Sequence, residues 1–402
     1  MKIYLDLPNV SQIGDAHLLR STEVMAKAGG NTGNLVFRHA LAKMVDLSDY
    51  VVADYPKLKQ LLDERARIGH VVISAANWIG CSDNFEAQSK FRADLLLRSD
   101  CPITIVGLGA QSKNSAAALD LGSQTRRLLN VLSGRTSCIG VRDVLTAETL
   151  EKHGVKNFSI TGCPSNFINL DARLGHSIRE KCKVGRASTG WSGLRTQITE
   201  ATGGHELSIA ILRNALEHID LYGAFYVCQS DELLAFLYGE DRTLPENYTA
   251  ARPPHFSSQD HLASVLVTSS LAFTCAAGWL DFARSCQISF GMRIHGNMVA
   301  VQAAVPSLLI AHDSRTEGLA AAMQVPAVTP EKFLKLYRLG PRGVFDAIDR
   351  RMLEFDATRR ALANKFNEIF KSSGLRARPE FQHFLSAKSE SQLAPQPCSS
   401  YQ

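Results

Sequence analysis

No two of the nine cysteines stand in a CxxC pair, their total is odd, and no His/Cys group has metal-ligand spacing. That argues against a disulfide-stapled secreted protein and against a metal site; reduced thiols in a cytosolic protein, most of them filling core space, are expected. The chain also lacks a basic block. Its net charge of +5 is spread over 402 residues, with Lys and Arg interleaved among Asp and Glu, so a nucleic-acid partner is not expected. The start, "MKIYLDLPNVSQIGD", has no apolar run behind a basic segment, and no secretory signal is read there. The longest apolar stretch, residues 262–283, is broken by Ser, Thr, Gly and Asp281; it reads as helix, strand and helix in a core rather than a membrane span. Neither a GxGxxG nor a Walker loop is present, so no nucleotide can be claimed from motif alone. A cytoplasmic location follows, and the mild positive excess leaves attraction to an anionic small molecule, or peripheral association with the inner face of a membrane, open.

What is present is a rhythm. The length suits two domains of moderate size. From residue 70 onward β-rich runs alternate with helical ones: "HVVISAA", "PITIVGLG", "SCIGV" and "FSITG" first, then "GAFYVCQ", "SLAFTCA", "CQISF" and "SLLIAHD". Such alternation is the mark of βαβ units and parallel sheets. The expected class is therefore α/β, with a Rossmann-like domain over residues 1–175, a second over 176–375, and a polar, disordered tail over 376–402. The two sheets should face one another across a central cleft. "MKIYLDL" and "YVVADYP" read as edge strands, the Gly- and charge-rich residues 170–200 as a linker or insertion, and residues 345–371 as one helix.

The chemistry gathers in "FGMRIHGNMVAVQAAVPSLLIAHDSR", residues 290–315. A buried strand, a turn at Gly291 and a helix from about Arg293 place Arg293 and His295 in a first turn, where free N–H groups and the helix dipole favour an anion. Ile294, Met298, Val301 and Val305 share one face of that helix, and Pro306 ends it. His312, Asp313 and Arg315 emerge at the same end of the next strand. Each residue taken singly suits a structural role: an Arg293–Asp313 ion pair, and a core histidine at 295. Their convergence on one crevice favours a site. In the first half, "GGNTGN" brings Gly33 and Asn34 to a helix start, which suits either a polar or anionic ligand or an ordinary turn with an N-cap. In "VRDVLTAETLEKHG", Asp143 reads as an N-cap and Arg142 as its ion-pair partner or a cleft cation. Lys113, after another strand, is a weaker candidate.

Taken together, "GMRIHGNMVAVQAAVPSLLIAHDSR", "VRDVLTAETLEKHGVKNFSITGCPS" and "GGNTGN" resemble the polysaccharide pyruvyl transferase family over roughly residues 28–320. The resemblance implies a two-domain fold like that of GT-B glycosyltransferases. It also implies transfer of the enolpyruvyl carbons of phosphoenolpyruvate onto a sugar as a ketal, with release of phosphate and no cofactor. Arg293 and His295 match the family's Arg-apolar-His triplet, which carries donor binding and acid–base work, and Arg142 matches a mid-chain arginine that contacts the donor. The acceptor would be a sugar or a lipid-linked oligosaccharide. Two departures stand out: Asn34 occupies a place where many members carry aspartate, and "HDSR" stands where Tyr-Asp-Pro-Lys is common, so that Arg315 replaces a lysine with a planar fork suited to carboxylate or phosphate.

On this reading Arg293, Arg142 and Arg315 grip the donor with Gly33 and Asn34, and His295 moves the proton, becoming protonated when the anionic donor binds. A GT-B glycosyltransferase using a nucleotide sugar is the alternative, set against by the scarcity of acids between residues 282 and 330, where only Asp313 and Glu317 occur. A non-catalytic carbohydrate-binding protein on the same fold is a third. The acceptor sugar and the oligomeric state are not readable from the sequence.

Overall fold

The computed structural model describes residues 1–111, 117–201 and 205–387; Lys113 and most of the expected tail lie outside them. Among the described residues, fourteen strands, all paired in parallel, build the two halves. In the first half these are β1 (Lys2–Leu5), β2 (Tyr50–Ala53), β3 (His70–Ser74), β4 (Asn77–Ile79), β5 (Ile103–Val106), β6 (Gly109–Ala110), β7 (Ile139–Val141) and β8 (Phe158–Ile160). The second half has β9 (Thr196–Thr199), β10 (Phe225–Cys228), β11 (Ser270–Ala272), β12 (Ile288–Gly291), β13 (Ser307–Ile310) and β14 (Ala327–Val328).

The first sheet runs β2-β1-β3-β5 and is continued by β7-β8 through a bridge between Leu108 and Val141. The second runs β11-β10-β9-β12-β13-β14. Both are doubly wound α/β orders, and each reverses direction at one place: between β1 and β3 in the first sheet, and between β9 and β12 in the second. Strands such as "HVVIS" and "ITIV" are buried along their whole length, because helices cover both faces of a parallel sheet. Helix starts are marked by side-chain caps: Asp54, Asp143, Ser258, Asp313 and Thr329 each accept a backbone N–H three residues on.

Four expectations need correction. β1 is an interior strand flanked by β2 and β3, so only β2 is an edge. Residues 170–200 are not a linker: they hold the helix Leu174–Gly185 and β9, a central strand of the second sheet. The single helix expected over 345–371 is two, Pro341–Arg351 and Phe355–Ser372. The tail does not begin at 376, since Pro379–Ser386 is a helix with Phe381 and Phe384 buried.

These last helices cross back over the molecule. Phe355–Ser372 packs on β7 and β8, and Pro379–Ser386 packs on the first half's helix Asn34–Met44, so residues 355–375 lie against the first half although they follow the second. One apolar core consequently runs from the second sheet through Phe167, Phe366 and Phe370 to Phe37 and Leu41 of the first half, while a separate core fills the far side of the first sheet.

Candidate active site

The register of two neighbouring strands sets the site. Gly291 ends β12 opposite Thr199 at the end of β9, so the residues that follow, Arg293 and Glu200, leave the sheet at one level. Gly291 has φ +146°, and a Cβ there would lie 2.2 Å from the Thr199 carbonyl oxygen; the close approach requires glycine. Arg293 is the N-cap of the helix Ile294–Gln302. Its Nε and Nη2 donate to Glu200 Oε2 at 3.2 and 3.0 Å. Glu200 is buried, and its remaining acceptor capacity is filled by Ser230 Oγ at 2.7 Å and the Gln229 N–H at 3.3 Å. The Arg293–Asp313 pair that the sequence suggests is therefore not formed. Asp313 caps the helix Ser314–Met323, accepting from the Thr316 N–H at 2.7 Å, and its other oxygen holds Arg315 at 3.0 Å.

The helix Ile294–Gln302 is buried on all sides from His295 to Gln302. It lies between its own sheet and the other half, packing on β12, β13, the turn Pro164–Phe167 and the helix Asn34–Met44. Asn297, on this helix, donates to Thr199 Oγ1 and the Gly291 and Arg293 carbonyls at 3.0–3.1 Å. It accepts from Ser307 Oγ at 2.9 Å. One amide thus fixes where the first turn sits relative to three strands.

His295 reaches the opposite half. Its ring lies 5.2 Å from that of Phe37, its Nε2 is 3.6 Å from Cys163 Sγ, and a Cβ on Gly33 would come within 3.0 Å of its own Cβ. Gly33 therefore serves as the point where the first half's glycine loop touches the helix; it does not line the cavity, whereas Asn34 does. The Asn34 amide also donates to the Ala28 and Gly29 carbonyls at 2.9 and 3.1 Å, tying the loop. Arg142, buried at the end of β7, donates to Asn77 Oδ1 at 3.1 Å and the Ala75 carbonyl at 3.3 Å, and stacks 5.1 Å over Phe37. Asp143 is an N-cap, accepting from the Thr146 N–H at 2.8 Å.

Between the halves lies a cavity of about 320 Å³. It is lined by Arg142, Arg293 and Arg315, by His295 and His312, by Asn31, Asn34, Asn77 and Gln229, and, among the described residues, by no carboxylate. First-turn residues of three helices, Asn34–Met44, Ile294–Gln302 and Ser314–Met323, are among its lining. Three guanidinium groups around one small space, with helix starts among its walls, suit an anion. Burial first, then Arg142 and Arg315, holds the His295 imidazole well below its ordinary range, which favours its neutral form. Burial also lowers His312, with Asp313 opposing it, and burial works against the charge of Arg142, opposed by Cys163 and Asp143.

A larger pocket of about 560 Å³ adjoins it and shares Gly29, Asn34, Ala76 and Asn77 as common wall. It sits where the first sheet reverses: Leu5, Asp6 and Leu7 come from the end of β1, Ile73 and Ser74 from the end of β3. Tyr55, Trp78 and Phe91 give it an aromatic side, with Tyr55 and Phe91 edge to face at 5.7 Å and the Arg92 guanidinium 4.4 Å over Trp78.

Of the residues picked out in sequence, Arg142, Arg293, His295, Arg315 and Asn34 line one cavity and Gly33 stands behind it. Sequence reasoning missed Glu200, Asn297, Asn77, Gln229 and Cys163. Only Asn297, an amide in the middle of an otherwise apolar helical stretch, left a signal there. Among the described residues no group of three or more potential metal-ligating side chains occurs, and no helix is long and apolar enough to cross a membrane.

A family model described as polysaccharide pyruvyl transferase matches residues 31–314, well over half of the chain. No curated protein matches it. Among solved structures it is similar to a putative UDP-N-acetylglucosamine 2-epimerase from Listeria monocytogenes, at 11% identity, covering 84% of this chain and 80% of that one with a TM-score of 0.40. It is also similar to MnaA of S. aureus with UDP, at 11% identity, 92% and 98% coverage and a TM-score of 0.42. A third is the glycosyltransferase SnogD from Streptomyces nogalater, at 11% identity, 91% and 99% coverage and a TM-score of 0.30.

Proposed function

Because this chain belongs to the polysaccharide pyruvyl transferase family, we propose that the arginine-lined cavity takes phosphoenolpyruvate and that the adjoining aromatic pocket seats the sugar that receives its three carbons as a ketal. The observation that carries the reading is the cavity's charge: three arginines, no carboxylate among the described lining residues, and first-turn residues of three helices around about 320 Å³. A small dianion or trianion with a carboxylate at one end and a phosphate at the other suits that set, because planar forks bind both groups in pairs of bonds. A nucleotide sugar suits it less well, since no acid lines the cavity to hold a ribose hydroxyl.

The steps follow from the atoms available. A proton is delivered to the methylene carbon of the donor, and a first sugar hydroxyl adds to the central carbon and gives up its own proton. Phosphate then leaves into the arginine cluster, which stabilises the departing charge, and a second hydroxyl of the same sugar closes the ring. His295 handles the protons, starting from the neutral imidazole that burial and the nearby arginines favour. The sugar's apolar face rests on Tyr55 and Phe91, and Asn34 and Asn77, common to both pockets, meet its hydroxyls.

The test is phosphate release from phosphoenolpyruvate with and without a panel of glycans or lipid-linked glycans. Release that depends on an acceptor, with a ketal seen by mass, is the expected result. Release from a nucleotide sugar instead, or binding of glycan without any turnover, would replace this reading with one of its rivals.

A further inference from the structure

Cys163 follows β8, at the carboxyl end of the first sheet, and is fully buried. Its backbone N–H is held by Met323 Sδ of the other half at 3.4 Å, and its thiol points at His295 Nε2 at 3.6 Å. Nothing in the reaction outlined above uses this thiol, although it touches the one group that moves protons. A problem in that reaction also remains. A buried imidazole beside Arg142 and Arg315 resists a second proton, yet a neutral imidazole that gives up its only proton becomes an imidazolate, which is costlier still.

We propose that Cys163 is a positioning residue for His295: its S–H donates to Nε2, fixes the neutral tautomer with hydrogen on Nδ1, and replaces the proton that Nδ1 hands to the donor. The inference rests on the pyruvyl-transfer reading for its second half, but the tautomer is a property of the empty site. In the forward step the Nδ1–H bond breaks and a C–H bond forms at the methylene carbon. At the same time the S–H bond breaks and an Nε2–H bond forms, so the imidazole stays neutral and the negative charge comes to rest as a thiolate beside Arg142. The sugar hydroxyl then returns a proton to Nδ1 as its oxygen bonds the central carbon, and Nε2–H goes back to sulfur. Protons and charge balance over the cycle. A thiol is suited to this, because it ionises several pH units below an alcohol.

The experiment is long-range proton–nitrogen correlation on histidine-labelled protein, with the His295 signals identified by their loss in His295→Asn. Wild type should show a protonated Nδ1 and a bare Nε2. Cys163→Ala should shift His295 to the other tautomer or a mixture and lower turnover on the order of 100-fold, with the donor KM little changed. Cys163→Ser should keep the wild-type tautomer yet still lose most of the turnover, because a serine hydroxyl donates a hydrogen bond but does not release its proton. A bare Nδ1 in wild type, or His295 signals unmoved by Cys163→Ala in a folded protein, overturns the proposal. So does full activity in Cys163→Ser. The expected tautomer in a protein that never turns over phosphoenolpyruvate would instead overturn the donor assignment and leave the positioning of His295 standing.

Discussion

Glu200 determines how freely Arg293 can swing, since both nitrogens that Arg293 commits go to one carboxylate oxygen. Glu200→Gln keeps the shape but removes the charge, so Arg293 loses its fixed direction; the donor KM should rise about tenfold with little change in kcat. Steady-state kinetics at constant ionic strength would show it, and an unchanged KM would mean that Glu200 only fills the core. At His295 the expectation differs: His295→Ala should lower turnover by about 10²–10⁴ with the circular dichroism spectrum intact, and wild-type turnover would move the proton-handling role to His312. Arg142, Arg293, His295 and Arg315 were legible in sequence because each stands between a strand and a helix, where open sheets bind ligands. Glu200 and Cys163 occupy equivalent places but were hidden, the first inside a stretch without periodicity, the second as one of nine cysteines most simply read as core.

Among elements, β9 shows why hydropathy alone failed. Its sequence, "TQIT", is three-quarters polar and wholly buried. It is stable at the centre of a sheet because Gln197 donates to Ser289 Oγ and the Gly296 carbonyl at 3.1 and 3.2 Å and accepts from Trp279 Nε1 at 3.3 Å. A satisfied buried amide is indistinguishable from a loop amide until its partners are known. The strands with Val, Ile and Leu runs, and the helices between them, were legible for the opposite reason. The helix Glu206–Tyr222 carries a related case in His218, which is fully buried, bonded to the Tyr337 hydroxyl at 2.6 Å and edge-on to Trp191. Burial pushes its imidazole from 6.5 down to about 3. Below the unfolded value the unfolded chain therefore binds the extra proton and the folded one does not, so stability falls as pH drops from about 6.5 towards 3. The slope approaches ~1.4 kcal/mol per pH unit for each such group. His39, pushed to about 4 chiefly by burial, acts in the same direction. Urea midpoints should therefore be lower at pH 5 than at pH 7, and His218→Gln should flatten that difference; equal midpoints for wild type would contradict it.

For the whole molecule, the two halves are fastened to each other by Arg359. It lies on the returning helix Phe355–Ser372, is fully buried, and donates to the carbonyls of Asn166, Asn169 and Asp171 in the segment that first crosses between the halves. Phe167, Phe355 and Phe384 surround its guanidinium. Arg359→Met would relieve a buried charge but leave the Asn166 and Asn169 carbonyls without their donor, and a loss of about 3 kcal/mol is expected. Denaturant unfolding would measure it, together with a fall in activity as the cavity walls lose their spacing; a change under 0.5 kcal/mol would show the clasp to be dispensable. The sequence reading placed both halves and their cleft, but nothing local in the chain says that a helix will fold back across the molecule, because that docking is decided by distant aromatic partners.

The same double crossing has a covalent result. With one covalent span near residues 161–173 and another near 352–355, lying side by side and pinned together by Arg359, the halves resemble two leaves on a pair of knuckles. The halves are therefore joined through the chain at two places, so a single cut in either span would leave them covalently connected.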